Sequence, residues 1–80
     1  MSLREALVRC FKAEPYRIFG IQDLCKAVQR YYEFSDFQRE LDPKHPQPRY
    51  EHEIRSRIAR LKKERHIDHL GYNQYRLLED

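Results

Sequence analysis

The chain has 80 residues, 40% of them hydrophobic, 12% aromatic and 36% charged, with a net charge of +3. That length allows one small core and leaves few apolar residues for a closed catalytic pocket. No apolar run approaches the roughly 20 residues of a membrane span, and the aromatic content excludes a disordered tail.

Ser2 caps a first helix, with Glu5 placed three residues on to complete a capping box. Leu3, Ala6, Leu7, Cys10 and Phe11 recur at helical spacing, and Pro15 ends the helix a residue or two before itself. Tyr16-Arg17-Ile18-Phe19 alternates and reads as a single edge strand, and Gly20 caps the next helix. This second helix starts near Ile21 and carries Asp23 in its first turn, where an anion is favoured. It buries Ile21, Leu24, Cys25, Val28 and one of Tyr31 and Tyr32, and fades around Glu33 to Ser35. Phe34 and Phe37 suggest that the next stretch still touches the core, with a short helical turn at residues 36–41. Pro43, Pro46 and Pro48 then make a loop, because proline donates no backbone N–H to a helix or a ladder.

The third helix runs from about Tyr50 to Glu64 and places Ile54, Ile58 and Leu61 on one stripe. Two strands come after it, Ile67 to Leu70 and Gln74 to Leu78, around a Gly71-Tyr72-Asn73 turn. Tyr75 and Leu77 alternate onto one face and Arg76 onto the other. The expected fold class is mainly α with a small β-hairpin (α+β), in the order α-β-α-α-β-β. One domain spans residues 1–80, with an irregular prolyl loop at about 35–49.

Residues 54–64, Ile-Arg-Ser-Arg-Ile-Ala-Arg-Leu-Lys-Lys-Glu, lead into Ile67, Leu70-Gly71 and Tyr75-Arg76-Leu77. This stretch resembles the third helix and wing of the winged helix-turn-helix family, and the order of elements fits that family over nearly the whole chain. The prolyl stretch before Arg49-Tyr50 and Ile54-Arg55 looks most like the DNA-binding domains appended to restriction endonucleases. The resemblance implies double-stranded DNA as partner, with the third helix in the major groove, and a role as a small transcriptional regulator or DNA-targeting module. The sequence departs from the family in two ways. The wing tip carries no Lys or Arg, and residues 34–48 make an unusually long connection between the second and third helices.

With Ile54 and Ile58 inward, a helical wheel points His52, Ser56, Ala59 and Lys63 outward and puts Arg55, Arg60 and Lys62 on the flanks. His52, Arg55 and Ser56 are the candidates for base contacts, Arg55 through its two-pronged guanidinium on a guanine edge. Arg49, aided by open amides at the helix start, and Arg60, Lys62 and Lys63 are the candidates for phosphate. Tyr72, Asn73 and Arg76 are the candidates on the wing. Residues 49–65 hold seven Lys or Arg against three acids, a net of +4 where the whole chain has +3. The competing explanation is a solvated face laced by Glu51–Arg55, Glu53–Arg57 and Arg60–Glu64 pairs.

Other chemistry is poorly supplied. His66 and His69 are expected on opposite faces of a strand, and the two cysteines lack zinc-ligand spacing. Glu40, Asp42 and Lys44 sit in a prolyl loop with no rigid strand to hold a magnesium ion. With two glycines in the chain there is no phosphate-cradling loop. No catalytic residue, metal or cofactor is expected. Buried free thiols at Cys10 and Cys25 and a start without a signal sequence suggest the cytoplasm. A homodimer through the first helix, marked by surplus aromatic residues at Tyr16, Phe19, Tyr31 and Tyr32, is a further expectation. The alternative function is a winged helix used for protein–protein contact, and duplex or single-stranded RNA is the third partner to weigh.

Overall fold

The computed structural model describes residues 1–78. Helix α1, Leu3–Ala13, begins where Ser2 adopts an extended backbone and its hydroxyl accepts from the Glu5 amide at 3.1 Å. Only this half of the expected capping box forms. Leu3, Ala6, Leu7, Cys10 and Phe11 are buried, as their spacing implies, and the helix stops two residues before Pro15.

The expected edge strand at 16–19 shrinks to one residue. The Arg17 amide donates to the Glu14 carbonyl and curls the chain, while Gly20 already begins the next helix. Phe19 alone is extended enough to exchange both backbone hydrogen bonds with Tyr75, at 2.7 and 2.9 Å.

Helix α2, Ile21–Ala27, passes into a 3-10 turn at Val28–Arg30, so the helical segment ends earlier than expected. It buries Ile21, Leu24, Cys25 and Val28. Phe19 is fully buried and packs edge-on to Phe11 at 5.1 Å, while Tyr31 and Tyr32 are half-buried. Of the aromatic residues expected in surplus, the core absorbs Phe19 and partly covers Tyr31 and Tyr32, and Tyr16 stays exposed.

The short helical turn expected at residues 36–41 forms, two residues shorter, between the second and third expected helices. Helix α3, Asp36–Arg39, is one turn with a complete capping box: Ser35 and Gln38 exchange hydrogen bonds at 3.2 and 2.9 Å. Phe34 is buried and stacks on Tyr50 at 4.3 Å, whereas Phe37 stays exposed. The prolyl segment beyond is not wholly irregular. Asp42 and Gln47, and Arg49 and Glu40, are joined through their backbones, and Leu41 pairs with Pro48 between them. Proline is tolerated there because the bonds belong to its neighbours and its missing N–H is not called upon.

Helix α4, Arg49–Lys63, buries Ile54, Ile58 and Leu61 against α2, within one residue of the expected bounds. Strands β1, Ile67–Gly71, and β2, Gln74–Leu77, form a two-stranded antiparallel hairpin closed by Tyr72 and Asn73. Ile67 completes the core. The described residues thus form a mixed α+β fold, in which α4 packs on β1 and α1 on β2 of the hairpin.

Candidate nucleic-acid interface

Helix α4 turns one stripe inward, so its register decides which side chains remain for a partner. Ile54, Ile58 and Leu61 are buried, and His52, Arg55, Ser56, Ala59, Arg60, Lys62 and Lys63 are all exposed. The wheel reading of this helix therefore matches the exposure found. Arg57, also exposed, lies on the same helix and was not among the expected contacts.

The acids of this segment sit differently from the cations. Glu51 is buried at 3% exposure and accepts a hydrogen bond from the Gln22 side chain of α2. Glu53 is half-buried and accepts from Gln38 at 3.1 Å, so the expected Glu53–Arg57 pair gives way to a tie between α3 and α4. Glu64, just past the helix end, accepts from Arg4 at 2.6 Å and from Arg60 at 3.3 Å. The Arg4 hydrogen bond holds the Glu64 carboxyl below its ordinary value. The two other expected pairs form at Arg60–Glu64 and, loosely, at Arg55–Glu51, 4.0 Å. Lys62 reaches the ring nitrogen Nδ1 of His69 on β1 at 3.2 Å, and His69 stacks on Tyr75.

Three expected contacts are placed otherwise. Arg49 is half-buried, with its guanidinium drawn over the Phe37 ring at 4.3 Å and its Nε enclosed without a hydrogen-bond partner. The amides of Arg49 and Glu51 donate to Glu40 and Pro48, so the open amides expected at the helix start are largely taken. Cation–π attraction and the exposed Phe37 explain why Arg49 folds back.

Asn73 is exposed, yet its side-chain oxygen is committed to the protein's own backbone. Its side-chain oxygen accepts from the Ile21 amide at 2.8 Å, and it holds a left-handed backbone at φ 56°. Gly20, the residue before α2, has no side chain to cap it; Asp23 accepts from the Gly20 amide and Asn73 supplies the missing oxygen from across the chain. The extra methyl of an alanine at Gly20 would fall 2.8 Å from the Asn73 amide nitrogen, so the glycine makes room for this cap. Arg76 is half-buried, opposite Asp68 in the hairpin register, and beside Tyr16 and Pro15. It alternates away from Tyr75 and Leu77, so it is not gathered with the α4 cations. Tyr72, at the hairpin tip, is 97% exposed.

Cys10 and Cys25 are free and buried, and burial pushes both thiols up to about 11. Among the described residues no three of His, Cys, Asp and Glu gather as metal ligands. No helix among them is long and apolar enough to cross a membrane. No family model, curated protein or solved structure matches the chain.

Sequence reasoning missed Gln22, Gln38, Glu51 and Arg4. The wheel itself held one signal: Glu51 lies on the same stripe as Ile54 and Ile58, seven residues before the latter.

Proposed function

We propose that the chain is a winged helix-turn-helix domain that binds duplex DNA by laying α4 in the major groove, as a small regulator or targeting module without catalysis. The observation that carries this reading is the sorting of charge on α4. Glu51 is buried, Glu53 is tied to α3, and Glu64 just past the helix is shared by Arg4 and Arg60, while Arg55, Arg57, Arg60, Lys62 and Lys63 stand in solvent. A helix fits the major groove with its flanks against the two backbones, and Ala59 in mid-face permits close approach. Arg55 and Ser56 are assigned to base edges with His52, and Arg60, Lys62 and Lys63 to phosphate. Tyr72 is assigned to the backbone beside the groove.

The test is binding of random duplex DNA between about 50 and 200 mM salt. Log affinity should fall linearly with log salt at about −0.9 per phosphate contacted. Arg60→Ala/Lys63→Ala should lower that slope by about two contacts. An unchanged slope in the double variant removes α4 as the DNA face. No duplex binding at all turns the reading to protein contact, for which the exposed Phe37 and Leu41 on and beside α3 are the apolar surface at hand.

A further inference from the structure

Among the described residues Glu51 is the one charged side chain that is buried. Its neighbours on the stripe, Ile54 and Ile58, are ordinary core residues. Burying an ionised carboxylate is costly unless donors replace its water. Glu51 is only partly repaid: the Gln22 amide donates to Oε1, while Oε2 is enclosed and has no hydrogen-bond partner. The nearest cation is the Nε of Arg55, one turn on, at 4.0 Å. That is beyond hydrogen-bond range, yet close enough for a carboxylate in a poorly solvated seam to fix where a guanidinium sits. Arg55 is half in solvent and Gln22 is exposed at the start of α2. Two outward polar side chains from two helices thus converge on one buried anion.

We propose that Glu51 is a positioning residue that aims Arg55 and Gln22 as one base-reading unit across the α2–α4 seam. The inference rests on the DNA reading of α4. Gln22 offers its amide oxygen and one remaining N–H outward, and Arg55 its terminal nitrogens. A carboxylate behind them lowers the entropy cost of ordering each side chain at the moment of binding. Glu51 itself touches no DNA, since its free oxygen is enclosed.

The variant Glu51→Gln keeps the shape and an oxygen for Gln22 to donate to, and removes the charge. The experiment compares affinity for a duplex selected by the wild-type chain from a randomised library with affinity for random duplex. In Glu51→Gln the specific-to-random ratio should fall about tenfold, while random-duplex affinity holds or rises because a negative charge has gone. In an Arg55→Ala background the same change should leave the ratio where Arg55→Ala put it. Gln22→Ala removes the one donor to Glu51 and should lower the unfolding midpoint as well as the ratio, without altering the salt slope. A residue that merely completes the core would alter the unfolding midpoint and leave the ratio alone. Full selectivity in Glu51→Gln, or equal losses on both duplexes, overturns the proposal while the DNA reading stands. No duplex binding by the wild-type chain fails that reading, and this inference with it.

Discussion

Asn73 shows how far a single side chain can be from its apparent task. Beside Gly71 and Tyr72 its type announces a turn, and its left-handed φ agrees. Its amide oxygen, however, serves a helix that begins 52 positions earlier. Nothing in a local pattern can report a partner at that separation, and the same blindness applies to Gln22 with Glu51. Asn73→Ala should lose the cap and strain the backbone, lowering unfolding free energy by about 2 kcal/mol. Asn73→Gly relieves the strain and should lose only about 1 kcal/mol. Urea unfolding of both variants checks this; equal losses would mean that the left-handed conformation costs alanine nothing. Random-duplex affinity of the folded Asn73→Gly protein should match the wild type, because a capping side chain is not a phosphate contact.

At the scale of elements, α4 was the most legible part of the chain. Fifteen residues without Gly or Pro, with Ile54, Ile58 and Leu61 in step, leave one register available. Helix α1 was legible for the same reason. The segment from Tyr16 to Phe19 was not, because alternation over four residues says that a strand is allowed and not that a partner is long enough to pair with it. The candidate face was legible as a set of exposed cations, whereas the disposal of its acids depended on α1, α2 and α3. One of these ties carries a pH dependence. Arg4 holds the Glu64 carboxyl below its ordinary value. The contribution of this contact is therefore present above the unfolded carboxyl value of about 4.5 and lost as pH falls through the lowered one. The melting temperatures of wild type and Glu64→Gln should differ at pH 6 and converge as pH drops towards 3. A constant gap across that range would assign the contact to packing and not to charge.

At the scale of the whole molecule, one core joins every long element over extents of 39 × 25 × 19 Å. Cys10 on α1 and Cys25 on α2 both point into it and both have thiols raised to about 11 by burial. The folded state keeps them protonated where the unfolded chain, with thiols near 9, begins to lose its protons. Stability is thus unaffected by the thiols below pH 9 and declines between 9 and about 11. If the core opens as one unit, iodoacetamide at pH 8 should alkylate the two cysteines at the same slow rate, and urea should speed both together. Unequal rates would show that α1 and α2 open separately.

The bridge between Leu41 and Pro48 closes a short exposed loop around Lys44. Everything before that loop contributes α1, α2 and α3, and everything after it contributes α4 and the hairpin, so each half holds only part of the core. A chain severed once after Lys44 would yield two pieces with no complete interior of their own, which should regain structure only on mixing. The loop is thus a natural place to split this protein into a complementing pair, whose reassembly would report when two fused partners meet.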